Sequence, residues 1–213
     1  MTERRGRGRP TGPDADTGAA ISMAALHRFA AQGFEATSLR EIAKDAGVDV
    51  ALISYRFGGK TGLWKEIVSQ ASGDLRAALD QALGEMDGAN AQDRLDHSAR
   101  VFLAYLLDRP EVPRLLLRDI TVDTDRSLWL LETLSLPLHR HFIALAQAAA
   151  DERPTETEHL QFRVANFIYS AASTVARRER LSRLVADMGA DMGDDAQFAA
   201  ALEATLVEGA LAL

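Results

Sequence analysis

Residues 41–60, EIAKDAGVDVALISYRFGGK, read as two short helices joined at a glycine. Just before them, Ser38 and Glu41 stand in the S-x-x-E spacing of a capping box, in which each side chain satisfies an amide at a helix start. Leu39, Ile42, Ala43 and Ala46 recur at helical spacing and form the buried stripe of the first helix. Gly47 supplies the sharp turn and Val48 plugs the corner. Asp49 is a good N-cap for the second helix, whose inner face is Ile53 and Phe57, four residues apart. Gly58 and Gly59 stop that helix, and Lys60 and Thr61 begin another. Upstream, Ile21, Ala24, Ala25, Leu26 and Phe29 mark a helix that starts near Thr17 and ends at Gly33. Helix, helix, tight turn, helix is a helix-turn-helix by spacing and core pattern. In that geometry the last helix enters the major groove of DNA while the one before it crosses the backbone. With Ile53 and Phe57 turned inward, Val50, Ala51, Leu52, Ser54, Tyr55 and Arg56 are distributed toward the free side.

The charge distribution agrees with a polyanion-binding end. The 213-residue chain has a formal net charge of -7. Its first 65 residues nevertheless carry ten Lys or Arg against seven Asp or Glu, and all three lysines (Lys44, Lys60 and Lys65) lie there. Residues 1–16 are rich in Gly, Pro and charge, cannot build a core, and read as a flexible basic arm with Arg4, Arg5, Arg7 and Arg9. There is no cysteine, which excludes disulfides and thiolate metal sites. No apolar run is long enough to span a bilayer, and no apolar stretch follows the N-terminal arginines, so a cytoplasmic protein without membrane attachment is expected.

The remainder reads as helix after helix. Expected spans are about 61–84, 92–108, a short segment around 115–120 with Pro113 in its first turn, 125–151 with a kink at Pro137, 156–186 capped by Thr155 or Thr157, and 195–211. No alternating strand pattern occurs, so the fold class is all-α. The expected organisation is an arm over 1–16, a helix-turn-helix domain over 17–65 and a larger helical domain over 66–213.

Residues 21–34, ISMAALHRFAAQGF, together with residues 37–68, TSLREIAKDAGVDVALISYRFGGKTGLWKEIV, resemble the DNA-binding domain of the TetR (tetracycline-repressor) family of bacterial regulators. The similarity is continuous over about 50 residues and includes Phe-x-x-x-Gly-Phe, Thr-Ser, Ala-Gly-Val and Tyr-x-Phe-x-x-Lys at the corresponding places. The resemblance implies a dimer that binds an operator in double-stranded DNA and is released by a small-molecule inducer. It further implies that Arg40 reaches a base or phosphate, that Thr37 and Ser38 contact the DNA backbone, and that Tyr55 and Lys60 meet phosphates. Arg56 stands where the family often has histidine. Two departures stand out. Val50, Ala51 and Leu52 replace more polar residues early in the reading helix, and apolar side chains there read only thymine methyls or shape. Gly58-Gly59 replaces a Pro-Ser-like pair.

In the family the C-terminal domain binds the ligand and dimerises through its last two helices, here about 156–186 and 195–211. Ala165, Ala171, Ala172, Ser173, Ala199, Ala200 and Ala204 suit close helix approach there. Candidate ligand contacts are the aromatic residues Phe102, Tyr105, Trp129, Phe162 and Tyr169, with Asn166 as a polar anchor in an apolar helix. Phe142 is a further aromatic on these helices, and Arg118 and Asp119 are either a structural pair or cavity-lining residues. His139 and His141 are two apart on a helix, point to different faces, and are expected at the surface rather than as metal ligands. No nucleophile elbow, H-E-x-x-H or phosphate loop occurs, so no enzyme activity, cofactor or metal is expected. The alternative to a regulator is a helical adaptor whose helix-turn-helix does not bind DNA.

Overall fold

The computed structural model describes residues 13–119, 124–152, 159–186 and 193–208. Among these no strand occurs, and the chain divides between Ile67 and Val68 into two compact units. The first contains α1 (Pro13–Gln32), α2 (Leu39–Ala46), α3 (Val50–Phe57) and the start of α4 (Lys60–Gly84). Its core is Ile21, Ala25, Phe29, Ile42, Ile53, Leu63 and Trp64, all essentially inaccessible to solvent. Phe34 returns from the α1–α2 turn to stack on Phe29 with ring centroids 5.5 Å apart.

Local chemistry explains the boundaries. Helix α1 opens at Pro13, earlier than Thr17, because a proline at the first helical position lacks only an amide that the helix does not use. Arg4, Arg5, Arg7 and Arg9 of the expected arm lie outside the described residues. Ser38 and Glu41 form the capping box. Gly47 adopts φ 68°, a left-handed conformation that costs glycine little, and Val48 N–H donates to the Ala43 carbonyl across it. The Asp49 carboxylate accepts from Ala51 N–H at 2.7 Å and starts α3.

The second unit continues α4 and adds α5 (Ala91–Asp108), α6 (Glu111–Asp119), α7 (Asp125–Leu130), α8 (Leu136–Glu152), α9 (Leu160–Ala176), α10 (Arg178–Ala186) and α11 (Asp195–Leu202). Helices α5, α8 and α9 pack on one another, and α6 lies against α9. At their centre Phe102, Phe142 and Phe167 meet edge-to-face or tilted, with centroids 5.4–5.8 Å apart.

Two long helices of the sequence reading are interrupted. Between α7 and α8 the chain widens into a π-helical turn, residues 131–135. Proline at 137 has no N–H for the Thr133 carbonyl and its ring crowds that group, so the widened turn falls where the ladder is broken. The Ser72 hydroxyl on α4 donates to the freed Thr133 carbonyl at 2.9 Å. The expected 156–186 helix is two helices, broken at Arg177 with φ -110° and ψ 15°. There Arg114 of α6 donates to the Ala176 carbonyl, a partner available only in the folded chain. Thr155 and Thr157, the expected caps, lie outside the described residues. Helix α11 passes into a second π-helical turn over 203–207, and residues beyond 208 are not described.

Candidate nucleic-acid interface and effector cavity

The outer side of α3 is formed by Ala51, Leu52, Ser54, Tyr55 and Arg56, all exposed, with Val50 half-buried at its start. Tyr55 is 91% exposed, so its ring does no packing work in the monomer. Ser54 spends its hydroxyl proton on the Val50 carbonyl of its own helix at 3.3 Å. Arg56 lies over the edge of α1. A Cβ on Gly18 would come within 2.5 Å of its guanidinium, so the missing side chain at position 18 makes that approach possible.

Helix α2 sorts its charges by face. Glu41 and Asp45 are one turn apart, and Arg28 of α1 grips both: Nη2 donates to Asp45 at 3.0 Å and Nη1 to Glu41 at 3.2 Å. Arg40 and Lys44, also one turn apart, are exposed and make no hydrogen bond or ion pair among the described residues. The acids are thus neutralised inside the head while a pair of cations faces outward. Lys44, which was not among the candidate DNA contacts, stands beside Arg40 by its i,i+4 spacing.

Ser38 side-chain and backbone hydrogen bonds, and then Arg28, hold the Glu41 carboxyl below the usual carboxylate range. The hydrogen bond from Arg28 does the same for Asp45. A depressed carboxyl pKa contributes stability that is present above the unfolded value, about 4, and is lost as pH falls through the folded value. We therefore expect acidification below about pH 4 to weaken the head. Urea titrations followed by the buried Trp64 in a Trp129→Phe background measure this, and Arg28→Met should make the acid loss shallower.

Three residues expected to touch the DNA backbone are occupied internally. Thr37 is buried, and its hydroxyl donates to the Gly33 carbonyl at 2.7 Å rather than facing outward. The Ser38 hydroxyl donates to Glu41 at 2.7 Å. Lys60 aims its ammonium inward: Nζ donates to the carbonyls of Phe34 at 2.9 Å, Thr37 at 3.0 Å and Glu35 at 3.4 Å, and sits 4.4 Å from the Phe34 ring centroid. An ammonium has three protons. All three are committed here, which makes Lys60 a latch across the α1–α2 turn.

In the second unit α4, α5, α6, α8 and α9 line an apolar cavity that opens to solvent. Of the candidate ligand contacts, Phe102, Tyr105 and Tyr169 line it. Trp129, Phe162 and Asn166 do not. Helix α7 turns Leu130, one position on, toward the cavity in place of Trp129. Phe162 and Asn166 lie on the outer face of α9, with Phe162 73% exposed. Asn166 meets Ser170 there, so it is not a buried anchor. Phe142 is core, Arg118 is exposed, and the Asp119 side chain lies outside the described residues. The small residues also divide. Ala171 is buried and Ala172 lines the cavity, whereas Ala200 and Ala204 are exposed.

Neither His139 nor His141 is a surface residue. His139 lines the cavity, and its Nδ1 lies 2.7 Å from the Ser135 carbonyl. His141 is half-buried against the Phe142 ring, and burial pushes its pKa down. No group of three or more His, Asp or Glu placed to hold a metal ion occurs among the described residues. None of the described helices is long and apolar enough to cross a membrane.

The chain is similar to known proteins in sequence and in fold. Residues 21–67 match the family described as bacterial regulatory proteins, tetR family. The chain is 31% identical over 153 residues to the "Probable HTH-type transcriptional regulator YttP" of Bacillus subtilis (strain 168), an alignment covering 72% of each protein. Among solved structures it superposes on the fatty acid degradation regulator FadR from Bacillus halodurans with a TM-score of 0.65 at 16% identity, covering 94% of this chain and 98% of that one. It superposes on a TetR-family regulator from Streptomyces coelicolor A3 with a TM-score of 0.66 at 21% identity, covering 89% and 90%. At these identities the structural matches establish the shared fold.

Proposed function

The chain belongs to the TetR family of bacterial transcriptional regulators, and from that premise we propose that it is a dimeric repressor, released from a palindromic DNA operator by a small apolar ligand. The observation that carries the DNA-binding part is the outward cation pair Arg40 and Lys44 on α2, beside the exposed Leu52, Ser54 and Tyr55 of α3. Cations on the helix that crosses the backbone fix register by phosphate contact, and the next helix meets base edges. Leu52 and Ala51 can touch thymine methyls, while hydrogen-bonded discrimination falls to Arg40 as donor and to the Ser54 oxygen as acceptor. Such a regulator works in the cytoplasm, where its operator is. A gel shift of the purified protein on its own upstream DNA tests this reading against the adaptor alternative. A retarded band that a scrambled duplex fails to compete supports the repressor, and equal competition by the scrambled duplex rejects sequence-specific binding.

Dimerisation is proposed through the outer face of α9 and the exposed Ala200 and Ala204 near the C-terminus. A largely exposed phenylalanine at 162, with Asn166 one turn on along the same outer face, is a surface that a partner subunit would cover. Phe162→Glu would bury an unpaired charge in that seam, at a cost of about 3 kcal/mol or more, equivalent to a hundredfold weaker dimer. Sedimentation should show the variant as a monomer at micromolar concentration. A dimer of undiminished stability would move the interface elsewhere.

Ligand release is proposed to act through α4, which begins in the reading head and continues as a wall of the cavity through Ala71 and Leu75. A ligand shifts DNA binding only by its differential affinity for the two shapes, and a coupling of about 1–3 kcal/mol gives roughly a 5- to 150-fold loss.

A further inference from the structure

The chemistry of the cavity narrows what fills it. None of its lining residues is Asp, Glu, Lys or Arg, so a fully charged group buried there would meet no counter-charge. Its side-chain polar atoms are few: the hydroxyls of Tyr105, Ser135 and Tyr169 and the two ring nitrogens of His139. The Tyr105 hydroxyl donates to the Ala71 carbonyl at 3.0 Å. The Ser135 carbonyl lies 2.7 Å from Nδ1 of His139. A carbonyl only accepts, so Nδ1 carries the proton in this pair and the neutral ring keeps its lone pair on Nε2. The hydrogen bond of this ring among the described residues is the one through Nδ1, which leaves Nε2 as an available acceptor. The Tyr169 ring stands 5.9 Å from the imidazole, tilted by 55°, and also lines the cavity.

We propose that His139 is a specificity-determining residue of the effector cavity, with Nε2 accepting a hydrogen bond from the single hydroxyl of an otherwise apolar, uncharged ligand of the phenol or alcohol class. This rests on the reading of the cavity as the effector site. The aliphatic lining from α4, α5 and α6 takes the apolar body. The α8–α9 side, where His139 and Tyr169 face each other, takes the head. The Nδ1 bond to Ser135 fixes both the ring orientation and the tautomer, so the acceptor is in place before the ligand arrives.

The experiment uses the full-length protein and two probes that differ by one hydroxyl, 4-propylphenol and propylbenzene, with affinities measured by calorimetry. Two variants separate the ring nitrogens. His139→Asn places an amide where Nδ1 was, keeps the donor to Ser135 and removes the acceptor. His139→Gln places its amide near the Nε2 position. A lost neutral hydrogen bond is worth roughly five- to tenfold in affinity. The ratio of 4-propylphenol to propylbenzene affinity should therefore fall by that factor in His139→Asn and be largely kept in His139→Gln, with propylbenzene binding unchanged in both. Because the comparison is between ratios, the different hydration of the two probes cancels. An unchanged ratio in a folded His139→Asn protein overturns the assignment of His139 and leaves the cavity standing. Failure of both probes to bind the wild-type protein overturns the effector-cavity reading itself. Should His139→Asn not fold, loss of the phenol preference in His139→Gln would equally overturn the role of Nε2.

Discussion

Replacing Lys60 by methionine should destabilise the reading head by about 3 kcal/mol, before any DNA is added. Methionine keeps most of the aliphatic stem against the Phe34 ring and removes only the ammonium. The carbonyls of Phe34, Glu35 and Thr37 then lose a charged donor shared among them at 2.9–3.4 Å. Hydrogen bonds to a charged group contribute about 1.5–3 kcal/mol each, and partial exposure of this site keeps the total near the value of one or two such bonds. The loss of the cation over the Phe34 ring, now 4.4 Å from its centroid, adds about 0.5–1 kcal/mol. Lys60→Arg should not rescue, because a planar guanidinium cannot direct protons at three carbonyls that converge on one point. Chemical unfolding followed by Trp64 measures the effect. Should Lys60→Met leave stability intact and instead flatten the salt dependence of operator binding, the ammonium would be a phosphate ligand, as the family resemblance implies.

Removing the outward cations of α2 should have the largest effect on DNA affinity. In Arg40→Ala/Lys44→Ala each subunit loses two positive charges, four in the proposed dimer, from the face proposed to cross the backbone. Each phosphate no longer neutralised lowers the slope of log K against log salt by about 0.9, so the slope should flatten by up to roughly 3 to 4. At moderate salt the affinity should drop at least about a hundredfold, or about 3 kcal/mol, taking a modest contribution from each contact. The head should stay folded, since neither side chain is bonded within it. The single variants separate the roles. Selection on random DNA should give a motif relaxed at particular positions for Arg40→Ala, and the parental motif at uniformly lower affinity for Lys44→Ala. Full affinity in the double variant would exclude this face from the interface.

Much of the head was legible because its signals are local. The Ser38–Glu41 box, the left-handed Gly47 and the Asp49 cap act within three or four residues of themselves, and all three stand where their spacing implied. The π-helical turn was half legible: Pro137 announced a disturbance, but its form depends on Ser72 reaching the Thr133 carbonyl from 61 residues away. The cavity was legible only in outline. Phe162, Asn166 and Tyr169 were all expected to meet a ligand from one apolar helix, yet Tyr169 lines the cavity and Phe162 and Asn166 face outward. His139 was expected at the surface, since its place in the cavity comes from a carbonyl four residues back and a ring on another helix.

The sequence by itself determined that the chain is helical, where its short helices begin and stop, and that a helix-turn-helix stands near its start. Caps, glycine turns and apolar periodicity act through nearest neighbours and need no knowledge of the rest of the fold. Only the tertiary structure decided which polar groups remain free for function. Lys60 and Arg40 look equally available in the sequence. The first folds its charge onto carbonyls of residues 34, 35 and 37, more than twenty positions away, and the second stays exposed because Arg28 takes the neighbouring acids. A side chain's donors are finite, and which of them are already committed depends on contacts that form only when distant segments pack.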